Sequence, residues 1–363
     1  MTPRKRHFLS APAAIRKAHK FCLVRSERLQ DTFVCEFCKG TKAASLKVTE
    51  IHHTDLSKDG EEFLRSCEEF KDFSIHFREL NSSRATVQMK NICPRTHQTG
   101  ELCKLNYMTG KKFTSRTLGV FQTVQGRDAL IFKLLLEEYE QIEDKYWVII
   151  NLLDSIKLYD DSKKEDGSPM AILQENERNL GGIAAKRTVQ WCLFFMGKKG
   201  FTHAHLWAKA ANKGSDYFFY LHPTFQHFLL QDRLQKWYVD MFQEMVAGSV
   251  ADYKIDSFQD FGELRLAINT IDDIRMLPVF SESIWFCVMS FALDDVKEHV
   301  ERNNKKKFTE NQLNALFFKA FEKHMKDHLK DNYILQLSNT GNNGAQPIIN
   351  DGSLMTVSTF MTQ

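Results

Sequence analysis

"TLGVFQTVQGRDALIFKLLLEEYEQIEDKYWVIINLL", residues 117–153, decides the fold class. It holds three apolar runs, 117–124, 129–139 and 146–153, separated by polar stretches that read as turns. The runs are nearly continuous rather than alternating, which suits strands covered on both faces. A further run, "ATVQMK" at 85–90, precedes them, and "NYILQL" at 332–337 closes the series. Helical spacing flanks this block, at about 186–197, in "DRLQKWYVDMF" from 232, and at 284–300 and 310–330. Strands and helices mix without strict alternation. The expected fold is therefore α/β (mixed α+β), a central mixed sheet surrounded by helices.

A chain of 363 residues can bury a large core, and 43% hydrophobic with 26% charged residues is ordinary for a folded protein. No apolar run approaches the roughly 20 residues of a membrane helix. The start "MTPRKRHF" lacks the apolar core of a secretory signal, so an intracellular protein is expected. "PRKRH" has the composition of a nuclear import signal and equally of a solvated tail. A net charge of only +3, with acids and lysines intermixed, argues against direct nucleic-acid binding. Eight cysteines inside a cell point to metal or free thiols.

Three regions follow: a basic tail with clustered cysteines at 1–45, a polar linker and helix at 46–82, and the main domain at 83–360. Within the last, 159–182 is polar and aperiodic and reads as an insertion. Three constellations carry possible chemistry, one of them "GFTHAHLWAKAANKGSDYFFYLHP" at 200–223, where Trp207 closes a strand and His222–Pro223 end the next, which locally also reads as a plain hairpin. His19-x2-Cys22 and Cys35-x2-Cys38 have the spacing with which thiolates and imidazoles reach one zinc ion. "WVIINLLDS" ends a strand at Asp154–Ser155, where sheet ligands commonly bind.

Read together, the motifs become specific. "LLDS" at 152–155, "GFTHAHLWA" at 200–208, "SDYFFYLHP" at 215–223, "RLQKWY" at 233–238 and "DYKIDSF" at 252–258 stand in one order. That order resembles the acetyltransferase domain of the CREB-binding protein family of transcriptional coactivators. "RTLGVF" at 116–121, "LPVFSESIW" at 277–285 and "PIINDGSLM" at 347–355 extend the likeness, and "AHKFC" with "FVCEFC" resembles the last half of a zinc-binding PHD finger.

The resemblance implies acetyl transfer from acetyl-CoA to lysines of histone tails or other proteins, in the nucleus and in company with transcription factors or chromatin proteins. Composition, as above, adds the expectation of no membrane and no direct nucleic-acid partner. By similarity Tyr238 is the general acid, a phenol that stays protonated at neutral pH. Trp207 walls the lysine tunnel, with His205, Leu206 and Thr117 on the substrate side. Leu153, Asp154, Ser155, Phe228, Arg233 and Trp237 match cofactor contacts, and His19, Cys22, Cys35 and Cys38 match metal ligands.

The chain also departs from the pattern. The family's phosphate-binding Arg-Thr pair is represented only by Arg187–Thr188, several residues too close to Trp207. Either the helix start has slipped or the clamp is lost. Lys209 replaces a cysteine beside the tunnel, where a cation repels an incoming lysine unless it points away. These departures open a second reading: a catalytically weakened paralogue serving as a protein-interaction or CoA-binding module.

Overall fold

The computed structural model describes residues 8–10, 17–19, 47–87, 111–124, 127–139, 145–156, 180–211, 226–248, 254–260, 284–303, 307–326 and 330–338, with 219, 222 and 263. β1 (Phe8–Ser10) and β2 (Lys17–His19) form a small antiparallel pair. Helix α1 (Asp55–Ser66) leads into β3 (Ile75–Thr86), β4 (Lys112–Val124), β5 (Arg127–Tyr139) and β6 (Trp147–Ser155). Then come α2 (Leu180–Lys198), β7 (His203–Trp207), α3 (Gln231–Ala247) and β8 (Ile255–Asp260). The helices α4 (Ile284–Arg302) and α5 (Glu310–Met325) precede β9 (Asn332–Leu337).

The strands β3 to β9 form one sheet in the order β3-β4-β5-β6-β7-β9-β8. Every neighbouring pair is antiparallel except β6 and β7. The mixed sheet with flanking helices expected from 117–153 is what the chain builds. The three runs fall in β4, β5 and β6, and the run from 332 coincides with β9.

Two expectations need correction. The boundary at 82/83 falls inside β3, and Phe63, Leu64, Phe70 and Phe77 lie in one core with Leu118, Phe132 and Trp191. The supposed linker is thus part of the domain. Gly60 of α1 makes this packing possible, because a Cβ there would lie 2.7 Å from the Phe77 ring and 3.2 Å from Trp191. Trp191 Nε1–H also donates to Asp59 Oδ1 at 2.6 Å, tying α1 to α2.

β3 was hidden because its sequence, IHFRELNSSRAT, is polar. Its charges are buried but matched. Arg116 of β4 donates to Glu79 of β3 and Glu138 of β5, each at 2.6 Å, and all three side chains are under a tenth exposed. A buried charge survives only when paired like this. The second correction is the start of α2, six residues before the expected helix at 186.

Candidate active site

β6 and β7 are the sheet's parallel neighbours, and α2 is the crossover between them. Ligands of open α/β sheets collect at the carboxyl ends of parallel strands. Both chemistry-bearing motifs sit there: β6 ends in Leu153–Asp154–Ser155 and β7 in His205–Leu206–Trp207. Leu206 is in register with Ile150. Ser155 therefore projects about 13 Å past Trp207 at ~3.3 Å per residue.

At the β6 end, Asp154 is nearly buried and gathers the segment that precedes α3. Its carboxylate accepts from the backbone N–H of Phe219 at 3.1 Å and pairs with His222 Nε2 at 2.9 Å. Gln226 Nε2 donates to the Ser155 carbonyl at 2.8 Å. The His222 ring meets Phe228 edge-on at 5.1 Å. The predicted cofactor residues Leu153, Asp154, Ser155 and Phe228 are thus assembled around one turn. Behind them lies Lys133, the cross-strand partner of Asp154. Burial pulls its pKa down, and the Asp154 charge opposes the pull. Sequence reasoning gave no role to His222 or Lys133. His222 stood in the quoted "YLHP", whereas nothing in the apolar run around Lys133 marked it.

The start of α2 touches this turn. A Cβ on Gly181 would lie 3.1 Å from the Ile156 carbonyl and 3.5 Å from Ser155 Cβ, so helix and chain pack closely here and a larger residue would press on the Ile156 carbonyl. The free N–H groups of a helix start suit an anion there. Arg187 and Thr188 are not brought to it. They lie two turns into the helix, because α2 begins at Leu180. Arg187 is held by Glu69, at 2.5 Å from Nη2, and donates to Gln190 at 3.0 Å. Thr188 is buried in the interior. Arg187, expected to clamp phosphate, instead ties α2 to the segment after α1.

At the β7 end, alternation along the strand sets the faces. Trp207 is in register with Asn332 and His205 with Ile334. His205 Nε2 bonds Asn332 Oδ1 at 3.1 Å, on the face these residues share. Burial drives the His205 pKa down to about 4, against the Asn332 bond, so the ring is neutral near pH 7. Leu206 and Tyr333 face the other way, toward α3, where Tyr238 and Phe242 lie 6.5 and 5.4 Å from the Tyr333 ring. Trp207 and the Tyr238 helix thus approach one strand end from its two faces. Thr117, in β4, is three strand spacings from β7, about 14 Å at ~4.8 Å each.

α3 runs to Gly248, whose φ of 68° closes it in the left-handed conformation. It starts at Gln231, one residue before the expected 232, and Gln231 fastens it to the chain after Trp207. Gln231 accepts from the Ala210 N–H and donates to the Ala208 carbonyl, both at 2.8 Å. Two turns on, Tyr238 is buried between Trp237, 4.8 Å away edge-on, and Phe242. Burial, with the neighbouring Tyr333 adding to it, pushes its hydroxyl well above the usual tyrosine range. Trp237 is half-buried, and Arg233 is exposed one turn before it.

Residues 187–335 match the family described as the histone acetyltransferase domain KAT3. Over this stretch the chain is similar to the KAT3 histone acetyltransferases. It is 23% identical over 184 residues to "Probable histone acetyltransferase HAC-like 2" of Oryza sativa subsp. japonica, covering 50% of this chain and 12% of that protein. It is 24% identical over 289 residues to "Protein cbp-1" of Caenorhabditis elegans, covering 75% and 13%. "Histone acetyltransferase HAC2" of Arabidopsis thaliana is 26% identical over 208 residues, covering 56% and 14%. The chain thus spans roughly an eighth of the length of these relatives. The KAT3 match runs from α2 to β9 and contains both Trp207 and Tyr238. Cys22, Cys35 and Cys38 lie outside the described residues, as does the side chain of His19. Among the described residues no cluster of His, Cys, Asp or Glu could hold a metal ion.

Proposed function

We propose that this chain is a protein-lysine acetyltransferase of the transcriptional-coactivator type. It uses acetyl-CoA and acts in the nucleus on histone tails or other lysine-bearing proteins. One observation carries the reading: Tyr238, kept protonated by burial, stands on the helix stitched to the chain beyond Trp207, inside the KAT3 match.

The residues at the β6 turn fit the cofactor. Gly181 leaves the helix start against Ser155, His222 and Gln226 hold the covering segment, and Trp237 offers an aromatic wall. Leu153, Asp154, Ser155, Phe228, Arg233 and Trp237 would hold acetyl-CoA, which supplies a thioester carbonyl to be attacked. Arg233 and the α2 N–H groups replace Arg187 and Thr188 toward its phosphates.

Trp207, with neutral His205 behind it, gives the incoming side chain an uncharged lining. An apolar wall disfavours the ammonium and so promotes the free amine that attacks. As the C–N bond forms and the C–S bond breaks, the Tyr238 hydroxyl would give its proton to the departing sulfur, and the proton shed by the acylated nitrogen would restore the phenol. A phenol held up in pKa is a weak acid but is protonated whenever the sulfur needs it.

The test is transfer of labelled acetyl groups to a lysine peptide, with acetyl-CoA binding measured by calorimetry on the same protein. Transfer with binding supports the reading. Binding without transfer supports the weakened CoA-binding module, a reading favoured by the engagement of Arg187 with Glu69. Absence of both transfer and binding would discard the cofactor site.

A further inference from the structure

Between the chain that leaves β7 and helix α3 lies a buried carboxylate that neither the motifs nor the proposed chemistry uses. Asp331 stands one residue before Asn332, the register partner of Trp207, and its carbonyl accepts the Ala208 N–H at 2.6 Å. Its side chain is only 3% exposed and faces α3. Oδ1 is saturated: it accepts from Gln231 Nε2 at 3.0 Å and from Gln235 Nε2, one turn before Tyr238. Oδ2 is different. It is buried and accepts no hydrogen bond from any described residue. Lys209 Nζ is the cation nearest to it among the described ion pairs, at 3.6 Å, outside hydrogen-bond reach.

A buried charged oxygen left unbonded is costly, by more than a typical hydrogen bond contributes. It persists where a second partner completes it. The orientation is fixed by the two glutamines, so the open lone pairs of Oδ2 are held in place rather than free to turn. Lys209, 45% exposed on a long flexible stem, covers them loosely and can swing into water. The Tyr333 ring links this carboxylate to the acid. Burial pushes its hydroxyl up to about 12, the charges of Asp260 and Asp331 adding to the effect, and its ring packs 6.5 Å from Tyr238.

We propose that Asp331 is the docking seat for the ammonium group of the incoming lysine, which it holds before the side chain loses its proton and enters the uncharged lining at Trp207, and that Lys209 is a resident cation that the substrate displaces. This rests on the acetyltransferase reading for its meaning but not for its test. It also resolves the conflict posed by Lys209. The lysine is drawn to Asp331, and it competes with substrate for the same oxygen instead of repelling it from the tunnel wall.

The two side chains therefore have opposite effects. The probe is a fluorescent glycine-rich peptide with one lysine, its binding to the full chain read by anisotropy in the presence of CoA. A norleucine peptide is the control. Asp331→Asn, which keeps the shape and an acceptor for the glutamines, weakens lysine-peptide binding about tenfold or more, the usual scale for a charged hydrogen bond. Lys209→Met removes the competitor and tightens binding severalfold. In the Asp331→Asn background Lys209→Met has no effect, and neither change alters norleucine binding. CoA affinity, unchanged throughout, reports intact folding of each variant. The proposal is overturned if Lys209→Met weakens binding, or if the peptide ignores both substitutions while CoA affinity is kept. Peptide binding that follows this pattern without any acetyl transfer would sink the enzyme reading and leave the ammonium seat standing.

Discussion

Acidification should expose His205 as a proton-linked weak point on the tunnel strand. The ring is buried, and its pKa falls from 6.5 to about 4 in the folded chain. The unfolded chain therefore binds a proton below pH 6.5 that the folded chain refuses. Stability from this group is complete above pH 6.5 and drains away as pH falls toward 4. At 1.36 kcal/mol per pH unit the loss is about 2 kcal/mol at pH 5 and about 3 kcal/mol at pH 4. That is a large share of the 5–15 kcal/mol typical of folded domains. Other groups, such as the half-buried His76 whose pKa burial also lowers, titrate in the same window. The difference between two proteins isolates one of them. The comparison is wild type against His205→Gln, which keeps a donor toward Asn332 but takes up no proton. Urea unfolding at pH 7, 6, 5 and 4 should show the wild-type advantage shrinking by about 3 kcal/mol across the series. A difference that stays constant from pH 7 to 4 would refute the buried, neutral histidine.

Two further predictions concern the charges that the fold consumes. Arg187→Ala breaks the contact with Glu69 and should cost about 1 kcal/mol in denaturant unfolding while leaving the calorimetric affinity for acetyl-CoA within twofold; a loss of tenfold or more would restore the phosphate clamp. Arg116→Leu strands Glu79 and Glu138 inside the sheet and should cost about 3–5 kcal/mol, read as a lowered urea midpoint; a cost under 1 kcal/mol would mean the two carboxylates are protonated or hydrated.

Sequence periodicity reads apolar burial well and charge pairing poorly. β4, β5, β6 and β9 stood out because their core-facing residues come in unbroken runs, and α3 because Leu234, Trp237, Tyr238, Met241 and Met245 recur at helical spacing. β3 was missed because its burial is carried partly by Arg78 and Glu79, whose partners are distant in sequence. Arg78 meets Glu61 of α1, and Glu79 meets Arg116 of β4. The start of α2 was missed because Gly181 and Gly182 look like turn residues. Gly181 is instead the close contact between helix and β6 turn. Arg187 and Thr188 entered the candidate site through the family resemblance, and counting turns from Leu180 places them inside the helix, away from its start. Tyr238, Trp237 and Asp154 were singled out by a motif order that no local pattern supplies. Asp331 was not, because "KDN" reads as a plain polar turn until Gln231, Gln235 and Lys209 are folded around it.

The central claim is that one buried phenol discharges the leaving sulfur. Its most direct measurement is the single-turnover rate of acetyl transfer to a lysine peptide by Tyr238→Phe beside wild type, with acetyl-CoA affinity determined for both. Removing the hydroxyl alone should slow transfer by at least about a hundredfold, the scale of lost acid catalysis, at unchanged affinity. Equal rates in the two proteins would contradict it.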